Sequence, residues 1–167
     1  MLLTSLNIWL SKNKVTERVV VTGMGCISAA GSNVDEFNRN LFINDHAQLN
    51  TFDEVLFSGQ NDNRKFIAAQ VKPFDAKQFF PQKDLKILDR YAQFALISAE
   101  EAIKQANINF ATINPHRCSV VHGTSIGGQE TIENSYAQLF EQGKSRTHPF
   151  TVPKLLPSAA SSQISMK

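Results

Sequence analysis

Apolar positions along the chain follow two alternating patterns. Short runs rich in β-branched residues occur at Arg18-Val-Val-Val-Thr-Gly23, Lys65-Phe-Ile-Ala-Ala-Gln-Val71 and Cys118-Ser-Val-Val-His-Gly123. Runs of this kind, ended by Gly or by Pro73, predict three buried strands at 18–23, 66–71 and 118–123. Between them the apolar residues recur at spacings of three and four. Val34, Phe37 and Leu41 predict a helix over 34–43, opened by Asn33 and Glu36 as a capping box. Leu88, Tyr91, Ala92, Ala95, Ala99, Ala102 and Ala106 predict the longest helix, 84–106, stopped by Asn107. Its Ala stripe permits close approach to a sheet or another helix. Asp89, Arg90, Glu100, Glu101 and Lys104 are expected to face water. Ile132, Tyr136, Leu139 and Phe140 predict a helix over 129–142, closed by Gly143. Residues 44–64 show no sustained period and predict an irregular connection. Pro149, Pro153 and Pro157 exclude regular structure there until a last helix that begins at Pro157.

Strands alternating with helices predict an α/β fold built of βαβ units, with a parallel-rich sheet and packed helices. Three strands make a thin parallel sheet with an unprotected edge. The last helix also runs to Met166-Lys167 with no residue that would end it. The pattern is therefore expected to be the front part of a larger domain.

Composition narrows the class. The chain has 167 residues, 42% hydrophobic and 19% charged, which suits one domain with a packed core. Seventeen Lys and Arg against fifteen Asp and Glu leave +2, well short of the clustered basic excess of a nucleic-acid binder. Two Cys and four scattered His predict neither a disulfide framework nor a metal site. The apolar opening MLLTSLNIWL lacks a preceding basic residue, is interrupted by Asn7 and is followed by Lys12 and Lys14. It does not read as a secretory signal, and residues 1–17 are expected to be a loosely ordered leader. No stretch has the length of a transmembrane helix. The whole reads as a soluble intracellular domain.

Three motifs invite a chemical reading. Gly23-Met-Gly25 follows a strand as a dinucleotide loop would. Ser28 stands where the third glycine belongs, however, and the second strand ends Gln70-Val71 without an acidic residue. A nucleotide-binding oxidoreductase is thus disfavoured, and a tight turn needing small residues explains the glycines. Cys26 and Cys118 have no activating neighbour in sequence and are read as structural thiols. His122, at the end of the third strand, is read as structural for want of a partner. His148, before Pro149, carries less signal still. Gly127-Gly128 before a helix could hold an anion, or could let the chain pass close to a neighbour.

Four blocks then come in one order. Arg18-Val-Val-Val-Thr-Gly-Met-Gly25 resembles the opening of the β-ketoacyl-acyl-carrier-protein synthases. Leu88-Asp-Arg-Tyr-Ala-Gln-Phe-Ala95 with Ala99-Glu-Glu-Ala102 resembles their long second helix. Gly123-Thr-Ser-Ile-Gly-Gly128 is similar to their G-[ST]-[GS]-I-G-G loop, and Pro149-Phe-Thr-Val-Pro153 to their P-F-x-V-P segment. The resemblance covers residues 18–167.

This resemblance implies a partial thiolase-like fold, the N-terminal βαβαβ half in incomplete form. It implies decarboxylating Claisen condensation of an acyl thioester with malonyl-carrier protein, in fatty-acid or related acyl-chain synthesis. No cofactor or metal is expected. The partners implied are acyl carrier protein and the acyl thioester, in a homodimer or pseudo-dimer, with no nucleic acid and no membrane; the implied location is the cytoplasm. By resemblance Ile126 and Thr151 line the acyl pocket, and Gly127, Gly128 and Phe150 belong to the pocket loops. Thr151 stands where many members place a larger Phe. The family's nucleophilic Cys, two His and Lys match no residue here, so no catalytic residue is expected within the chain and condensation by it alone is not expected. The alternatives are a chain-length-factor-like partner without the nucleophile, and a non-enzymatic α/β interaction module.

Overall fold

The computed structural model describes residues 18–43, 50–52, 66–71 and 74–167. The expected leader, residues 1–17, and Pro73 lie outside them. Helix α1 spans Val34–Asn38 and continues as a wider turn through Arg39–Ile43. Its start is the expected cap: Asn33 Oδ1 accepts from the Glu36 N–H at 2.8 Å. Glu36 returns the favour one residue earlier than usual, accepting from the Ser32 N–H at 2.9 Å.

The expected parallel sheet is not present among the described residues. The paired strands there are β1, Asn50–Phe52, and β2, Phe66–Ala68, and they run antiparallel with Thr51 opposite Ile67. β1 falls within the span expected to be irregular, and β2 is shorter than the run 66–71 that predicted it. Residues 18–23 and 118–123 form no ladder, and Val19 and Val121 are 93% and 95% exposed. The reason is physical. A β-branched run favours a strand, but strand formation also needs a neighbouring edge to take its N–H and C=O groups. Neither run has one among the described residues.

The expected helix 84–106 is two helices. α2 spans Gln82–Leu85, and α3 spans Arg90–Gln105. The break comes because Asp89 takes extended dihedrals and caps α3, its Oδ1 accepting from the Tyr91 N–H at 3.2 Å. At the other end Asn107 stops the helix as expected. It adopts φ 51°, and the amides of Asn107 and Ile108 donate to the carbonyls of Lys104 and Ile103. This is the Schellman pattern with Asn in the left-handed position.

α4 spans Gln129–Tyr136, widens through Ala137–Glu141 and is followed by Gly143 at φ 63°. α5 spans Thr151–Leu155 and α6 spans Ala159–Ser165. α5 corrects the expectation of no regular structure between Pro149 and Pro157. Pro153 is its third residue, where the missing N–H would have had no helical partner. Pro157 lies just before the α6 cap Ser158, outside the helix and not in its first turn.

The core gathers on α3. Leu88, Ala92 and Leu96 are buried with Phe80 and with Ala160 of α6, and Leu85, Tyr91, Ala95 and Ile164 pack around them. Ala160 has no exposed surface, so α6 reaches α3 through a small side chain. The C-terminal half of α3 is met by glycine. A Cβ on Gly23 would stand 2.0 Å from the Ala102 carbonyl oxygen, and one on Gly25 1.8 Å from that of Ser98. Among the described residues, no helix is long and apolar enough to cross a membrane.

Candidate functional site

The site region is built around four consecutive residues at the start of α3. Leu88 enters the core. Asp89 is 5% exposed and uses both carboxylate oxygens. Oδ1 caps α3, while Oδ2 accepts from the Thr131 N–H at 3.0 Å and also from the Thr131 hydroxyl. The Arg90 guanidinium lies between two rings, 5.2 Å from Phe74 and 5.0 Å from Phe94, and donates to the Val71 carbonyl at 2.9 Å. The Tyr91 hydroxyl donates to the Leu156 carbonyl. Burial pushes the Tyr91 phenol above its ordinary range; the backbone at Ala160 pulls it down, the Asp89 charge raises it, and the backbone at Ala159 lowers it.

Further along α3, Glu101 bridges a loop amide and the first amide of α1. Its carboxylate accepts from Cys26 N–H and Val34 N–H, each at 2.9 Å, and Gln105 accepts from Met24 N–H at 2.6 Å. Thus Asp89 and Glu101, both expected to face water, are anchors for distant backbone. An Asp just before an apolar helical period is an N-cap signal, so Asp89 was findable as the start of α3. Its second partner, 42 residues away, left no local trace. Nothing in the local sequence marks Glu101.

The glycine loop packs on the Pro-rich segment by backbone. A Cβ on Gly127 would stand 2.1 Å from the Leu155 carbonyl oxygen, and one on Gly128 2.7 Å from that of Lys154. The Gly128 N–H donates to the Leu155 carbonyl at 3.1 Å. Of the two readings of this pair, the geometry bears out the close approach. The Thr124 hydroxyl donates to the Ile126 carbonyl at 2.7 Å, tightening the loop, while the Ile126 side chain stays 58% exposed. Thr151, half-buried, begins α5, the helix whose end meets Gly127 and Gly128, and Phe150 is its exposed cap residue. His148 Nδ1 accepts from the Phe150 N–H at 3.2 Å.

The candidate reactive groups stay apart. Cys26 is half-buried in the loop bound by Glu101, and Cys118 is exposed with its thiol 3.6 Å from the Asn114 carbonyl. The His122 ring lies 6.2 Å from that of Tyr91, and its buried Nδ1 has no hydrogen-bond partner among the described residues. No three His, Cys, Asp or Glu come together as metal ligands among those residues. A cleft of about 310 Å³ is lined by Asp89, Gln93, Thr131, Asn134 and Lys154, among others, and not by Ile126 or Thr151.

The chain as a whole is similar to known proteins. Residues 16–167 match the family model described as "Beta-ketoacyl synthase, N-terminal domain", and the chain belongs to that family. It is 32% identical over 157 residues to 3-oxoacyl-[acyl-carrier-protein] synthase 2 of Staphylococcus aureus (strain COL), covering 94% of this chain and 36% of the relative. It is 32% identical over 151 residues to the protein of the same name from Synechocystis sp., covering 89% and 35%. The chain thus spans about a third of the length of these relatives. A β-ketoacyl synthase from Burkholderia phymatum superposes with a TM-score of 0.70 at 23% identity, covering 90% of this chain and 36% of that one. The ketosynthase of AntDE:AntF, a type II polyketide acyl-carrier protein in complex with its ketosynthase bound to the hexaketide, gives 0.70 at 20%, covering 90% and 38%. These likenesses establish a partial thiolase-like α/β fold.

Proposed function

We propose that residues 18–167 work as the N-terminal portion of a 3-oxoacyl-[acyl-carrier-protein] synthase in fatty-acid or related acyl-chain assembly. In that reaction an acyl group held as a thioester on Cys is attacked by the carbanion left when a malonyl thioester loses carbon dioxide. A carbon–carbon bond forms, and the enzyme thiolate leaves. The thiolate, the oxyanion donors and the groups that promote decarboxylation must be held together. This chain's own Cys and His are assigned none of those roles. It contributes acyl-pocket wall: Ile126 and Thr151 toward the chain, with Gly127, Gly128 and Phe150 shaping the loops. Acyl carrier protein is the proposed partner, a homodimer or pseudo-dimer the proposed assembly, and the cytoplasm the proposed location.

The observation that carries this reading is the seating of Gly127-Gly128 on the end of α5. It joins the Ile126 loop to the helix of Thr151 through backbone contacts that no larger residue permits. The test is a chimera. Residues 16–167 replace the matching part of the Staphylococcus aureus synthase, and condensation of acyl- with malonyl-carrier protein is measured across acyl lengths. Turnover is expected, with Ile126→Phe shifting the preference to shorter chains. A folded chimera whose length preference ignores Ile126→Phe would overturn the pocket assignment.

A further inference from the structure

We propose that Asp89 is a positioning residue for the acyl pocket, fixing the loop that carries Ile126 to the start of α3. The inference rests on the reading of Ile126 as pocket wall. It starts from a cap that is missing where it would ordinarily be found. Gly128 is the N-cap of α4 and has no side chain to receive the free amides of the first turn. Nor could residue 128 carry one. A Cβ there would stand 2.7 Å from the Lys154 carbonyl oxygen and 2.9 Å from Asp89 Oδ2. The space an N-cap side chain would fill is taken by α5 on one side and by the Asp89 carboxylate on the other.

Asp89 supplies the cap from 42 residues away. Oδ2 takes the N–H and the hydroxyl of Thr131, the third residue of α4, while Oδ1 takes the N–H of Tyr91, the second residue of α3. One carboxylate therefore terminates two helices. An aspartate side chain is short, so the two helix starts are held at one fixed separation. Gly127 and Gly128 lie directly ahead of α4 and are buried against residues 154–157, so the loop has no slack between its two anchors. Ile126 precedes Gly127, and its place relative to α3 follows from the Asp89–Thr131 bond.

An Asn at 89 keeps one acceptor oxygen and turns an NH2 toward donors, so one helix loses its cap. A Ser at 131 keeps both donors. The test uses the 167-residue chain labelled for amide hydrogen exchange and isoleucine methyl NMR. In Asp89→Asn, Thr131 or Tyr91 amide exchange should rise about fivefold or more. The Ile126 methyl resonance should shift or broaden, with that of Ile103, at the far end of α3, unmoved. Thr131→Ser should match the parent. Thr131→Val, which removes the hydroxyl and leaves Asp89 in place, should move Ile126 and not Ile103; it decides the matter if Asp89→Asn does not fold. An Ile126 resonance unchanged in a folded Asp89→Asn, or in Thr131→Val when Asp89→Asn is unfolded, overturns the proposal. Titration with dodecanoyl-pantetheine is read separately. No response at Ile126 would count against the pocket assignment, while the exchange data would still judge the role of Asp89.

Discussion

Gly25 and Gly123 both end or follow β-branched runs, and the structure gives them opposite tolerances. Gly25 lies on the backbone of α3, with a prospective Cβ 1.8 Å from the Ser98 carbonyl oxygen; Gly123 has nothing within 4 Å. Gly25→Ala should therefore cost about 3 kcal/mol by forcing the loop off the helix. Gly123→Ala should fall within about 1 kcal/mol of the parent, on the stabilising side. Urea denaturation of the two variants measures both. Tyr91 carries a pH signature. Its phenol is raised in the folded chain, so its contribution is fully present below the unfolded value of about 10 and is lost as pH climbs through the higher folded value. Phenolate absorbance should show Tyr91 ionising above the ordinary range, and Tyr91→Phe should remove that part of the alkaline loss of stability. At this scale the sequence was legible where chemistry is local. The Asn33 cap and the Asn107 stop follow from neighbouring residues. Thr131 as the second partner of Asp89 and the distant amides bound by Glu101 do not, because they depend on which strangers the fold brings close.

Among elements, α3 shows what periodicity encodes and what it leaves out. Its Ala stripe was readable, and the stripe faces Ala160 and the glycines as close approach requires. The break at Asp89 was missed because residues 84–88 continue the apolar spacing, and only the cap interrupts it. α5 was missed because proline count outweighed proline position. The parallel sheet expected from the β-branched runs is not formed among the described residues, since such runs report a strand preference and not the presence of an edge to pair with. Ala160→Leu tests the α3–α6 contact. Added volume at a site with no free surface should cost about 1–3 kcal/mol, visible as a lowered thermal midpoint. An unchanged midpoint would mean the contact is looser than described.

For the whole molecule, the family was legible in four ordered blocks, and the proposal of Ile126 and Thr151 as pocket residues rests on that resemblance. The seating of Gly127 and Gly128 on the end of α5, which joins their two segments, was not legible, as it needs surfaces beyond either loop. The purified 167-residue chain, mixed with acyl- and malonyl-carrier protein, should give no β-ketoacyl product and no acyl group on Cys26 or Cys118, as read by mass spectrometry. Product formation lost on Cys26→Ala or Cys118→Ala would reverse that assignment. One consequence of the α3 anchors concerns cooperativity. The side-chain hydrogen bonds that hold Met24, Cys26, Val34, Thr131 and Leu156 to distant partners all end on α3 or its cap. When α3 melts, the two flanks lose their moorings together, so the chain should unfold in one step and not flap by flap. Amide exchange at Cys26 and at Thr131 should then show a single opening free energy, the same as that of the α3 interior; an earlier release at either flank would mean the helix holds them less firmly than it holds itself.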